Sequence, residues 1–537
     1  MSAIADGSPP ASAPARSRQV NPWVIAMVVA LTTFMEVLDI SIANVALRHI
    51  AGDLSAGQDE STWVLTSYLV TNAIVLPISG WFAFVVGRRR FYLWCVLIFT
   101  FSSLLCGLAP TLPMLILFRT LQGAGGGGLQ PISQAILADT FSPAQRGMAF
   151  AVYGITTVLA PAIGPTLGGW ITDNFSWRWI FFINVPVGLF AFWLSNRLVW
   201  DPPHLVQAQK DMRARGFHID YLGFALLAIG FGCLQIVLDK GQQEDWFESG
   251  FIVRCAVLSA VSLLILPFWE LRQRDPMIDV RLLGSRNFFL SNVMMFSLGF
   301  VLFGSTLLLP LFLQVLLGYS ATQAGLAISP GGVAILFFMP VVGALVSRVD
   351  VRKLIAVGLL IGAAALFMFS MINLQVDYWT MALIRVVQAI GLAFLFIPIN
   401  TAAFYGMPMI KSSSASAIIN LSRNLGGSFG IALAASYLAQ QQQRHQSYLV
   451  GHVDVQQGAG ATYLQSLTQS FIAAGHSAVE ASQLALGSLY GMVQQQASML
   501  AFVDAFRMLG LLFLLLVPAC FLLRRPSNDA APPPGAH

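Results

Sequence analysis

Long apolar runs dominate the chain. Stretches long enough to cross a bilayer fall at about 23–47, 62–86, 91–109, 112–138, 148–171, 179–200, 221–238, 250–269, 288–316, 323–347, 353–373, 379–406, 413–437 and 498–523, each near the roughly 20 residues that a spanning helix needs. The pattern predicts an all-α polytopic membrane protein of 14 transmembrane helices. A polar stretch, 438–497, separates the last two runs. Residues 1–20, rich in Pro, Ala and Ser, have the composition of a disordered tail. The run from Trp23 is too long for a signal-peptide core and reads as an uncleaved first span.

Composition sharpens this. The 537 residues are 56% hydrophobic and only 10% charged, far outside the range of soluble domains. The formal charge of +5 is modest and gives no reason to expect nucleic acid; the places of the charges say more. Arg88-Arg89-Arg90, Arg146, Lys210, Arg213, Arg215, Arg272, Arg274, Arg281, Arg286, Arg348, Arg352, Lys353, Lys411, Arg524 and Arg525 fall in loops on one side of the alternation. The opposite loops are nearly free of Lys and Arg, and 239–249 is net acidic. The positive-inside rule then puts both termini in the cytoplasm, as an even helix count requires. All five cysteines lie in apolar runs, without disulfide or zinc spacing.

The chain carries no catalytic constellation, so an enzyme, a cofactor and a metal are not expected. None of the four lysines follows a glycine as a P-loop requires. The cluster Gly123–Gly128 lies inside an apolar span and reads as close helix packing. The energy source is therefore expected to be an ion gradient. Charges inside spans are costly and mark a pathway by default. Glu36 and Asp39 stand three apart on span 1 and share a face; Arg119, Arg385 and Arg423 lie in spans 4, 12 and 13. At 1.5 Å per residue, Asp39, Arg119 and Arg385 fall roughly 9–12 Å from the outer ends of their spans, in one layer. Arg423, in Asn/Gly-rich surroundings, reads as structural, and Asp504 with Arg507 as a local pair. Trp63, Tyr68, Asn72, Gln122, Gln130, Gln134, Arg385 and Asn400 are candidates to line a substrate cavity, or else to hydrogen-bond between helices.

The chain repeats weakly. Gly80–Arg89 after span 2 has a partner in Gly343–Arg352, and Leu117-Phe118-Arg119-Thr120-Leu121-Gln122 has one in Leu383-Ile384-Arg385-Val386-Val387-Gln388. Matched halves are a common transporter plan, with the site between them. Span 5 contains YGITTVLAPAIGPTLGGWI, where Gly154, Gly164, Pro165, Gly168 and Gly169 resemble the antiporter motif of major facilitator superfamily exporters. Leu38–Leu47, Phe181–Gly188 and Asn424–Gly430 are similar to further signatures of the fourteen-helix drug:proton antiporters of that superfamily. The stretch 438–497 is similar to that of EmrB-like inner-membrane pumps.

The resemblance implies a major facilitator fold. Residues 21–200 form a first six-helix half, 201–287 a linker holding helices 7 and 8, and 288–525 a second half that includes the periplasmic segment 438–497. Residues 526–537 form a cytoplasmic tail. It implies a proton-driven antiporter in the bacterial inner membrane. Such a pump exports drugs or other amphipathic toxicants into a periplasmic, EmrA-like adaptor and a TolC-like outer-membrane channel. Gly80, Gly87, Arg88 and Arg89 correspond to its cytoplasmic gating loop. The resemblance also brings helices 1 and 4 together, so that Asp39 faces Arg119. Arginine keeps its proton, which makes Asp39 the carrier; Glu36 takes a second proton or meets cationic drugs. The chain departs from the pattern at Phe84 and Ser347, where an acidic residue is usual, at Arg48, where Pro is, and in having Glu36. Other readings stay open: an uptake symporter, an exporter of one metabolite such as a fatty acid or siderophore, or a non-transporting sensor or scaffold.

Overall fold

The computed structural model describes residues 21–214, 220–453 and 458–524. The expected tails, 1–20 and 526–537, lie outside the described residues. Among those described, the regular structure is all helical. The long helices are α1 (Pro22–Asp53), α2 (Trp63–Val86), α3 (Arg88–Leu108), α4 (Leu112–Thr140), α5 (Arg146–Asn174), α6 (Asn184–Leu198, after a short turn Trp179–Phe182), α7 (Tyr221–Lys240), α8 (Gly250–Arg272), α9 (Arg286–Leu311), α10 (Ala321–Leu345), α11 (Val351–Phe369), α12 (Tyr378–Ala403), α13 (Ser412–His452) and α14 (Ala478–Cys520).

Eleven described helices are long and apolar enough to cross a membrane, and α5, bent by 45° at Pro161, makes a twelfth. The two that fall short on hydropathy are α4 and α13, which carry Arg119, Gln122, Gln130 and Gln134, and Asn420, Arg423 and Asn424. Their polar residues meet other helices: Gln130 of α4 bonds Arg423 of α13, and Gln134 bonds Asn420.

Packing repeats between the halves. In the first, α1 packs on α5 and α6, α2 on α4, and α3 on α4 and α6. In the second, α9 packs on α13 and α14, α10 on α12, and α11 on α12 and α14. Adding eight to each number converts one list into the other. The halves meet through α2 with α13 and α5 with α10, a pair of contacts that the same rule exchanges. Glycines permit this closeness. A Cβ on Gly80 would lie 2.7 Å from Ser414 Cα, and one on Gly147 would lie 2.7 Å from the Gly343 carbonyl oxygen. The cluster Gly123–Gly128 does the same work within the first half. A Cβ on Gly127 would lie 2.9 Å from Val75 of α2, and Cβ atoms on Gly125 and Gly128 would lie 2.6 and 3.0 Å from Phe99 and Phe91 of α3.

Helices α7 and α8 pack on one another, and α7 also touches α2 and α13. The outer face of α8 leaves Val257, Leu258, Val261, Leu264, Ile265 and Phe268 exposed, a surface suited to lipid. The stretch 438–497 differs from an irregular connection. Helix α13 continues to His452, a helix Gly458–Ala473 packs on α14, and α14 begins at Ala478. The physical reason is local: the stretch lacks proline and is rich in Gln, Ala and Leu, which are good helix formers.

Candidate functional site

The first polar cluster is built on α1 and α4. Glu36 and Asp39 are 0% and 2% exposed, and Arg119 is 0% exposed. Arg119 Nη1 lies 2.6 Å from Asp39 Oδ2. The other carboxylate oxygen accepts from Gln122 Nε2 at 3.0 Å and from Asn184 Nδ2 at 2.7 Å. Asn184 opens α6 and also donates to Ser103 Oγ at 3.1 Å. The guanidinium is held further by Gln122 Oε1 at 2.8 Å and by the Val64 carbonyl at 3.1 Å, and it lies 4.4 Å from the centre of the Tyr68 ring. Fixed charge and titratable carboxylate thus share one buried cluster, and Tyr68 is its wall toward Glu36.

Glu36 leads the other way, toward the second half. Its Oε1 accepts from Tyr68 at 3.2 Å and from Asn72 at 3.4 Å. Its Oε2 accepts from Gln130 Nε2, and Gln130 Oε1 accepts from Arg423 Nη2 of α13. One turn further along α4, Gln134 donates to Asn400 of α12 and accepts from Asn420 of α13 at 2.5 Å. Tyr153 of α5 donates to Asn420 at 3.2 Å. A continuous polar chain therefore crosses between the halves through α4, whose Arg119, Gln122, Gln130 and Gln134 recur at intervals that keep them on neighbouring faces.

The structure separates Arg385 and Trp63 from this cluster and joins Asn400 to it. Arg385 stays in the second half, where its Nη1 donates to Gln388 at 2.6 Å. Trp63 sits at the N-terminal end of α2 with the Lys240 ammonium 5.1 Å from its ring. Asn400 joins only through Gln134. A shared depth does not bring side chains together, because helices also differ in azimuth.

The glycine face of α5 lies on α1 beside Asp39. Gly164 packs on Ser41, and a Cβ on Gly168 would lie 3.1 Å from Ile42. A Cβ on Gly154 would lie 2.9 and 3.0 Å from Phe396 and Met339 of the second half, while one on Gly169 would meet nothing within 4 Å. Pro165 has no N–H, so the carbonyl of Pro161 loses its donor within the helix. The Ser41 hydroxyl donates to that carbonyl at 3.4 Å, the kind of repair by a neighbour that proline in a membrane helix requires.

At the other end of the bundle, Gly87 takes φ 105° between α2 and α3, a conformation that glycine adopts without strain. Arg88 bonds Asp139 of α4 at 2.7 Å, and Ser412 of α13 donates to the same oxygen at 3.1 Å. The backbone of Arg89 donates to Asp201 at 2.7 Å, and its side chain to the Asn196 carbonyl at 2.6 Å. Asp201 thus supplies a carboxylate beside the loop whose usual position is filled by Phe84. Sequence reasoning missed Asp139, Asp201, Asn184 and Asn420, and read Arg423 as structural. For Asn184 a signal existed, since it lies in the stretch Phe181–Gly188.

The family model described as Major Facilitator Superfamily matches residues 29–431. The chain belongs to the major facilitator superfamily. Among its relatives in that superfamily, the multidrug export protein EmrB of Haemophilus influenzae is 38% identical over 448 residues, 83% of this chain and 86% of that protein. The multidrug export protein EmrB of Escherichia coli K12 is 34% identical over 521 residues, 96% of this chain and 98% of that protein. A solved major facilitator structure, the proton:xylose symporter XylE, superposes with a TM-score of 0.58 at 15% identity, covering 93% of this chain and 96% of that one; that likeness is one of fold.

Proposed function

We propose that the chain is a proton-driven antiporter that exports drugs and other amphipathic compounds across the bacterial inner membrane. The observation that carries the reading is the buried Asp39–Arg119 pair, with the remaining carboxylate oxygen held by Gln122 and Asn184. Asp39 takes a proton from the outward-open state and loosens from Arg119. Inward opening and drug entry then expel the proton to the cytoplasm. Glu36 takes a second proton or meets cationic drugs, and its link through Gln130 to Arg423 passes the change of charge to the other half. The names of the two EmrB relatives support drug export. Both termini lie in the cytoplasm, and the helical segment 438–497 extends into the periplasm, where it docks an EmrA-like adaptor that leads to a TolC-like channel.

The experiment has two parts. A resistance profile over a compound panel compares a deletion strain with the complemented strain, and substrate-induced proton release is measured on detergent-solubilised protein. Resistance with proton release that is lost in Asp39→Asn is the expected result. Resistance with equal release from wild type and variant overturns Asp39 as the carrier.

A further inference from the structure

The two halves repeat one another down to the hydrogen bonds around one arginine. On α4, Arg119 Nη1 donates to Gln122 Oε1 at 2.8 Å, and Gln122 Nε2 donates to Asp39 Oδ1 of α1 at 3.0 Å. On α12, Arg385 Nη1 donates to Gln388 Oε1 at 2.6 Å, and Gln388 Nε2 donates to Ser305 Oγ of α9 at 2.9 Å. Helix α12 stands to α9 in the second half as α4 stands to α1 in the first. Ser305 therefore takes the place of Asp39.

The replacement leaves a charge uncompensated. Arg119 has a carboxylate at 2.6 Å. Arg385 is 4% exposed, its Nε has no hydrogen-bond partner, and among the described residues no carboxylate lies within 4 Å of it. A guanidinium does not shed its proton in proteins, and burying an unpaired ion costs roughly several kcal/mol. A neutral side chain would pack the second half at lower cost. Beside the guanidinium stands Gly331 of α10, where a Cβ would lie 2.8 Å from Arg385 Cγ and 3.3 Å from Nε. Leu302, Leu308, Leu309 and Ile384, close in sequence to Ser305 and Arg385, are buried apolar neighbours along the same helices.

We propose that Arg385 is an anion-recognition group that binds the carboxylate of amphipathic substrates, the substrate supplying in the second half the counter-charge that Asp39 supplies in the first. Forked N–H donors suit a carboxylate, and the apolar surroundings suit an alkyl tail. The proposal deepens the exporter reading and rests on it for the word substrate.

The test uses the full chain in maltoside detergent and three matched probes: dodecanoate, dodecanol and dodecyltrimethylammonium. Wild type is expected to bind dodecanoate at least about ten-fold more tightly than dodecanol, and Arg385→Gln to lose that preference. Ser305→Asp installs an internal counter-ion and is expected to lose it too, while Ser305→Asn, similar in size but uncharged, keeps it. Elution profile and melting temperature establish that each variant is folded, and if Arg385→Gln is not, the Ser305 pair decides. A folded Ser305→Asp protein that retains the preference overturns the proposal, as does a wild type with none. Binding is read without a gradient, so failure of the exporter reading shows separately, as absence of proton-driven transport of any probe in vesicles.

Discussion

The side-chain amide of Asn184 donates to Asp39 at 2.7 Å, on the carboxylate oxygen opposite the one that Arg119 holds at 2.6 Å. Helices α1, α4 and α6 are thereby tied to one carboxylate. If that carboxylate carries the proton, Asp39→Asn abolishes proton-coupled export and the substrate-induced proton release, while substrate binding survives. Asp39→Glu keeps partial function. Release measured in weakly buffered detergent solution checks this, and equal release from Asp39→Asn and wild type moves the carrier role to Glu36.

Arg119 makes contacts that a lysine cannot copy. It bonds Asp39 and Gln122 through Nη1 and the Val64 carbonyl through Nε. Arg119→Lys keeps the charge and loses the fork, so transport is expected to fall by at least about ten-fold. Arg119→Ala leaves Asp39 as an unpaired buried charge, a loss of about 3–5 kcal/mol that a detergent melting curve reads as a lower transition temperature. A Lys variant with wild-type transport would show that charge alone suffices.

Glycines of α5 are not equivalent. Gly164 packs on Ser41, whereas a Cβ on Gly169 would meet nothing within 4 Å. Gly164→Val is expected to abolish export with normal membrane insertion, and Gly169→Ala to leave export near wild type. Resistance assays at matched expression decide; full resistance in Gly164→Val would sink the role given to this face.

The contact of α2 with α13 rests on a missing side chain. Gly80 and Ser414 approach so closely that a Cβ on Gly80 would lie 2.7 Å from Ser414 Cα. Gly80→Leu puts a side chain against the Ser414 backbone and is expected to force α2 and α13 apart and to reduce resistance at matched expression. Wild-type resistance in folded Gly80→Leu protein would mean that export does not need this contact.

Along 438–497, the end of α13, the helix Gly458–Ala473 and the start of α14 expose Tyr448, Val450, Tyr463, Ile472, Tyr490 and Met492. If this stretch docks an adaptor as proposed, replacing 440–496 by a short Gly/Ser linker abolishes co-purification with it and reduces resistance to the level of the deletion strain. Co-purification together with full resistance would count against adaptor docking there.

The sequence by itself determined the class of molecule. Long apolar runs, the one-sided placement of Lys and Arg, and the cost of charge in lipid are properties of composition and order, so the helices, their expected sense and the rarity of Glu36, Asp39, Arg119 and Arg385 were all legible. The repeat of Arg119-x-x-Gln122 in Arg385-x-x-Gln388 was legible too. Only the tertiary structure decided which side chains meet. In a membrane helix the lipid face and the packed face are both apolar, so periodicity says little about azimuth. Hence Arg385 shared an estimated depth with Asp39 yet lies beside Gln388, and Trp63 stands by Lys240. Asn184, distant in sequence, reached Asp39 because α6 packs on α1. That no carboxylate among the described residues stands opposite Arg385 also needed the fold, since Ser305 takes the place of Asp39 only once α9 and α12 are seen to repeat α1 and α4.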